Sequence, residues 1–289
     1  MFAGGILGWF VLIPAIVTFG GSTILYPGTI SIADLYATKG ASAIWSNYIK
    51  YIGAGAVATG GIISLIKSLP LIVKTFSDAI KGMKGDKNTG KLRTEQDIDM
   101  KAIAIGIVVV TIAIWLIPDI PVTILGAILI VIFGFFFATV SSRMVGIVGS
   151  SNNPVSGMAI ATLLFATLCL KVTGDVGVHG MKGAIGIGSV ICIIAAMAGD
   201  TSQDLKTGYI LGATPKKQQI GELLGAVIAA LTIGGVLVLL DSAWGFGTTE
   251  LAAPQATLMK TIVEGVMQGN LPWALVFIGV FLSLIHISE

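Results

Sequence analysis

Val122–Leu170 reads VTILGAILIVIFGFFFATVSSRMVGIVGSSNNPVSGMAIATLLFATLCL. Two apolar runs, Val122–Ser142 and Val155–Leu170, come close to the length of about 20 residues that a bilayer asks of a spanning helix. Between them sits a polar wedge, Val148–Met158 (VGSSNNPVSGM). Lipid offers no hydrogen bonds, so irregular backbone at membrane depth must be buried in protein or line a cavity. Proline biases the preceding residue, Asn153, away from helix, while Pro154 itself suits a first helical position. Asn153 is then a natural N-cap, with Ser150, Ser151 and Asn152 adding polar groups. A helix opening here presents free N–H groups and partial positive charge. Half-helix ends of that kind hold anionic groups near the midplane of transporters. Ser150, Ser151, Asn152 and Asn153 are therefore candidate substrate-binding residues. A plain proline kink, or a loop at the interface, is the alternative.

Composition agrees with this reading. Of 289 residues, 55% are hydrophobic and 11% charged, and the mean hydropathy is +0.94. A soluble domain carries about 25% charged residues, so a soluble enzyme, a disordered chain and a nucleic-acid binder with a basic face are excluded. A net charge of +2 argues for no polyanionic partner. The expected fold is all-α: a polytopic membrane helix bundle with broken or re-entrant half-helices. Cys169 and Cys192 lie in apolar runs and read as packing residues. His179 and His286 are isolated, no metal-ligand spacing exists, and no cofactor is expected. Phe2–Phe19 lacks a basic flank and a cleavage site, so it reads as a span rather than a signal peptide.

Eight spans are expected: Phe2–Phe19, Asn47–Ile66, Ala102–Ile117, Val122–Ser142, Val155–Leu170, Gly183–Ala198, Gln219–Leu240 and Pro272 onward. Pro70–Phe76 reads as an interfacial continuation, and Pro118 with Pro121 as a tight turn. Placing the loop 67–101 in the cytoplasm puts Arg143 and the loop 200–217 there too. Only Lys39, Lys50, Lys171, Lys182 and Lys260 then lie outside, leaving twelve of the 17 basic residues inside. That asymmetry is what the positive-inside rule demands. Lys81–Lys101, the one hydrophilic stretch, reads as a flexible cytoplasmic linker.

Two more segments interrupt the apolar pattern. In Trp244–Trp273, Pro254 opens a helix of about 14 residues, too short to span, and Asn270–Pro272 restarts the chain. A re-entrant hairpin and an interfacial helix both fit. Gln255, Thr257 and Asn270 are its cavity-facing candidates, with Trp244 and Trp273 as anchors. In Gly199–Gly221, Asp200 with Gln203 resembles a capping box, and Thr214–Pro215 repeats the start signal. A short boundary helix followed by a long span is expected, and Asp204 joins Asp200 on one face. The readings are a solvated interfacial helix or a polar gate made of Asp200, Gln203 and Asp204. Glu222 lies about 10 Å inside the helix that starts at Pro215. An intramembrane carboxylate is by default a functional-site candidate, here for proton coupling; reaching back to Lys216 or Lys217 is the alternative.

Three stretches resemble the oligopeptide transporter (OPT) superfamily, which includes peptide carriers and the yellow-stripe-like carriers of metal chelates. They are GSSNNPVSGMAIATLL from Gly149, AGDTSQDLKTGYILGATPKKQQIGELLG from Ala198 and APQATLMKTIVEGVMQGNLPW from Ala253. The resemblance covers about Gly146 to Val280. It implies a multi-pass secondary transporter driven by the proton gradient, carrying small peptides or peptide-like metal chelates. It also marks Asn152, Asn153, Asp200, Gln203, Asp204, Gln255 and Asn270 as site candidates. Family members are longer and carry these motifs in their second half. The missing amino-terminal half of the same transporter is thus an expected partner, beside protons and the lipid bilayer. The short loops suit a prokaryotic cell membrane.

The resulting segmentation is transmembrane helices over 1–80, the linker over 81–101 and a transporter core over 102–281. Leu282–Glu289 (LSLIHISE) resembles a translated transposase sequencing adaptor and is expected to be a non-native tail. A channel-like pore, or a carrier of another small anionic solute, is the competing function. An intramembrane enzyme has no motif here: no His/Glu metal pair, no GxSxG, no paired aspartates within spans.

Overall fold

A computed structural model gives the architecture and describes residues 2–85, 92–118, 120–150, 155–248 and 250–287. In chain order these form α1 (Phe2–Ile6), α2 (Ile13–Gly20), α3 (Ile32–Lys39), α4 (Ala41–Ile44), α5 (Lys50–Gly85), α6 (Met100–Leu116) and α7 (Ile124–Val148). There follow α8 (Val155–Val172), α9 (Val178–Leu211), α10 (Pro215–Trp244), α11 (Pro254–Gln268) and α12 (Trp273–Ile287). Short π-helical stretches, Leu7–Leu12 and Trp45–Ile49, join α1 to α2 and α4 to α5. The described residues include no strand.

Among the described residues, six helical stretches are long and apolar enough to cross a membrane: Phe2–Gly20, α6 with its lead-in from Arg93, and α7 to α10. Eight were expected. The other two exist as helices of different proportions. The expected Asn47–Ile66 falls largely within α5, a 36-residue helix that runs on through Pro70 to Gly85. The last one is α12, whose apolar part, Trp273–Leu284, is shorter. Proline at position 70 does not end α5, so the Pro70–Phe76 piece is part of one rod. The expected break before Asp200 is also absent: α9 runs unbroken for 34 residues, roughly 51 Å at 1.5 Å each. The reason is visible on either side of Asp200. Ser142 Oγ donates to the Ala198 carbonyl at 3.0 Å, and Ser202 Oγ donates to the Ser142 carbonyl at 2.9 Å. Both flanks are fastened to α7, and the helix continues between them.

The chain forms two compact units, Met1–Gly60 with Glu264–Glu289, and Gly61–Val263. In the first, Ser31 caps α3, accepting the Asp34 N–H at 3.1 Å and donating to Asp34 Oδ2 at 2.6 Å. Tyr48 is buried, and its hydroxyl donates to the Leu25 carbonyl at 3.1 Å. Tyr26 donates its hydroxyl to the Asn270 carbonyl. The start of α5 meets α12 backbone to backbone: a side chain on Gly55 would strike Val276, and one on Gly279 would strike Ile52. Small residues permit that approach where lipid provides no hydrophobic drive between helices.

The second unit is built on α7, α8 and α9. Every residue from Gly157 to Leu163 of α8 is buried, and Gly61 of α5 lies directly against the Gly157 backbone. The stretch of α8 from Gly157 onward, at the end of the polar wedge, is therefore enclosed by protein. Phe133 stacks on Phe137 at 5.9 Å and meets Phe165 edge-on at 5.2 Å. Ser141, fully buried, donates from α7 to the Ala195 carbonyl of α9 at 2.5 Å. No described residue of α6 or α10 is buried, so within this unit both present apolar surface outward.

Candidate functional site

Several of the expected site residues of the second unit lie at one end, where α7 stops, α9 stops and α10 begins. Gly149 ends α7 in the left-handed conformation, which only glycine adopts readily. Its carbonyl, lacking a helical partner, accepts from Gln203 Nε2 of α9 at 2.9 Å. Gln203, an expected gate residue, thereby holds the carbonyl next to Ser150, an expected substrate residue within the polar wedge. Ser150 is exposed; Ser151, Asn152 and Asn153 lie outside the described residues.

At the next residue of α9, the Asp204 carbonyl accepts from Gln218 Nε2 of α10 at 2.5 Å. The elbow between the two helices has Gly212 in the left-handed conformation, with Ala213 N–H returned to the Gly208 carbonyl at 2.8 Å. Pro215 occupies the first turn of α10 as expected, but Thr214 makes no side-chain cap. A different group takes that role. The Lys216 N–H donates to the Gln96 carbonyl at 2.9 Å. Arg93 Nη2 donates to the Gly212 carbonyl at 2.8 Å, and Nη1 to Thr214 Oγ1 at 3.4 Å. Gln219 answers from α10: its Oε1 accepts the Ile98 N–H at 3.0 Å and its Nε2 donates to Asp97 Oδ1 at 3.3 Å.

The stretch expected to be a free linker is thus docked along Leu92–Ile98, and Lys81–Gly85 completes α5. Glu222 follows Gln219 by one turn. It is half-buried, and its Oε1 is shielded from solvent without a hydrogen-bond partner among the described residues. Asp200 and Asp204 are exposed on α9, consistent with their placement one turn apart.

The remaining candidates stand elsewhere. Gln255 is exposed in the first turn of α11, in the second unit. Asn270 belongs to the first unit, where its Nδ2 donates to Gln268 Oε1 at 3.0 Å. A surface depression between α6 and α7, lined by Thr111, Trp115, Ile124 and Ile128 among others, sits at the start of α7, the end opposite Gly149. It is apolar and does not overlap the candidate residues. Among the described residues, no group of three or more His, Cys, Asp or Glu side chains is placed to hold a metal ion.

Sequence reasoning passed over Gln218, Gln219, Arg93, Asp97 and the three serines of the α7–α9 seam. The glutamines had a signal: an amide pair at the entry to a span, inside a stretch already singled out. Ser141, Ser142 and Ser202 had none, because a serine in a helix returns its hydroxyl to its own backbone as easily as to a neighbour.

Long apolar helices and a polar end built from helix termini are the architecture of a multi-pass integral membrane protein. The family model for "OPT oligopeptide transporter protein" matches residues 1–288, and the chain belongs to that family. A Haemophilus influenzae protein named "Putative oligopeptide transporter" is 29% identical over 98% of this chain and 50% of its own length. A Saccharomyces cerevisiae protein, "Putative oligopeptide transporter YGL114W", is 29% identical over 49% of this chain and 19% of its own. The chain thus spans about half the length of the first relative. No solved structure matches it.

Proposed function

We propose that this chain is part of a secondary active transporter that moves oligopeptides, or peptide-like metal chelates, together with protons. The observation that carries the reading is the Gln203 to Gly149 hydrogen bond, which ties the broken segment ahead of α8 to the polar end of α9. A substrate carboxylate faces the helix start at Asn153–Pro154, where N–H groups and helix dipole favour an anion. Ser150, Ser151, Asn152, Asn153, Gln255 and Asn270 bind substrate in this reading. Glu222 couples the proton, with Asp200, Gln203 and Asp204 forming the gate. The unpartnered Oε1 of Glu222 supports that role, because a shielded carboxylate oxygen is costly unless a proton or a cation visits it.

In the same reading, loops 67–101 and 200–217 face the cytoplasm of a prokaryotic cell, and 282–289 is foreign to the transporter. The partner is the other half of the family length. The test is uptake of a labelled tripeptide into proteoliposomes under an imposed inward proton gradient. The chain is assayed alone and joined to the rest of the Haemophilus relative. Saturable accumulation that follows the gradient in the joined protein supports symport. Uptake indifferent to the gradient removes the coupling role of Glu222, and fast, non-saturating flux favours a pore.

A further inference from the structure

The geometry points to Leu92–Ile98 as a releasable clasp that fixes the elbow between α9 and α10. The segment serves both helix ends at once. Arg93 sits at the carbonyl end of α9, where a cation is favoured, and the Gln96 carbonyl and Asp97 carboxylate sit at the N–H end of α10, where negative charge is favoured. Its bonds replace the side-chain cap that Thr214 does not make. Gln219 closes the arrangement by holding the strap's Ile98 N–H and Asp97 carboxylate together.

Three features make this a clasp rather than a fixed part of the fold. Leu92 is exposed and Ile98 only half-buried, so apolar burial holds the strap down weakly. Both Arg93 contacts and the Gln219–Asp97 contact are exposed to solvent, where water competes for each group and the net worth of a bond is small. Above the elbow, α10 has no buried residue in the whole of Pro215–Trp244. Within this unit the start of this 30-residue helix is held by the strap and by Gln218 Nε2 on the Asp204 carbonyl of α9. Opening the clasp leaves α10 tied to α9 through Gln218 alone at this elbow, so that it swings about Gly212–Thr214 and carries Glu222 with it. The inference concerns the motion of α10 and stands whatever the substrate.

The test uses the full chain in lipid nanodiscs, comparing the parent with Arg93→Ala and with Gln219→Glu. The second variant guards against simple misfolding: a carboxylate near the start of α10 suits the helix dipole yet repels Asp97. Hydrogen exchange is expected to quicken at least tenfold at the amides of Ile98 and Lys216 in both variants. Amides in the α7–α9 seam around Ala195 keep the parent rate. Nitroxides at Val178→Cys and Ser242→Cys, in a background with Cys169→Ala and Cys192→Ala, report the far ends of α9 and α10. Their distance distribution is expected to be narrow in the parent and broad in both variants. Unchanged exchange at Ile98 and Lys216 overturns the clasp. So does equal quickening throughout the seam, which marks a fold support instead. An unchanged distance distribution overturns the swing of α10.

Discussion

Gln203 Nε2 lies 2.9 Å from the Gly149 carbonyl, so a side chain of α9 closes the end of α7 at the threshold of the polar wedge. The last carbonyls of a helix have no partner within it, and inside a membrane protein that deficit needs a local donor. Gln203 is that donor, which ties the geometry of Ser150 to a residue more than fifty positions away in sequence.

Replacing Gln203 with alanine removes this donor and leaves the rest of α9 intact. The expected cost in stability is about 0.5–1.5 kcal/mol, the usual net worth of one hydrogen bond. A second readout is more specific. In a Ser150→Cys background without the native cysteines, Gln203→Ala is expected to speed modification by a water-soluble maleimide several-fold. An unchanged labelling rate would show that Gln203 does not hold the start of the wedge.

The apolar runs and the starts of α10 and α11 were legible because lipid imposes strict length and patterning on every span. The docked strap was not. Its residues, Arg93, Gln96, Asp97 and Ile98, are as polar as any solvated linker, and their partners lie more than a hundred residues downstream. The continuity of α9 through Asp200 was misread for a related reason. Asp200 and Gln203 fit a capping box locally, yet the seam bonds of Ser142 and Ser202 override that preference from another helix. Local pattern specifies where a helix is able to start; tertiary hydrogen bonds decide whether it does.

Gly61 and Gly60 make a matched pair of tests for the enclosure of α8. A Cβ on Gly61 would strike the Gly157 backbone, whereas one on Gly60 meets nothing within 4 Å. Gly61→Ala is expected to lower thermal stability through an overpacking cost of about 1–3 kcal/mol. Gly60→Ala is expected to be neutral or to gain up to about 1 kcal/mol from helix propensity. Thermal unfolding followed by size-exclusion fluorescence reads both. Equal stability of the two variants would contradict the backbone contact.

The α7–α9 seam is expected to tolerate loss of a hydroxyl better than added bulk. Ser141 is fully buried with its Oγ on the Ala195 carbonyl. Ser141→Ala gives up one interhelical hydrogen bond, worth about 0.6 kcal/mol on average and at most about 1.7 in membrane proteins. Ser141→Leu adds three carbons where no space exists, so its loss exceeds that of alanine. Unfolding in mixed micelles ranks the two, and a leucine variant as stable as the parent would mean that the helices are not in close contact there.

Glu222→Gln separates a coupling group from a structural one. The substitution keeps the shape of the side chain and removes its capacity to carry a negative charge. Because Glu222 Oε1 has no partner among the described residues, no bond to that oxygen is lost, and stability is expected to hold or rise. A structural carboxylate paired with lysine would instead lose stability when neutralised. In the joined transporter, gradient-driven accumulation of a labelled peptide is expected to disappear, while exchange of peptide across the membrane at equal concentrations persists. Exchange without accumulation is what remains when the proton step is removed and the substrate step is not. Loss of both would place Glu222 in substrate binding, and retention of both would move the coupling role to Asp200 or Asp204.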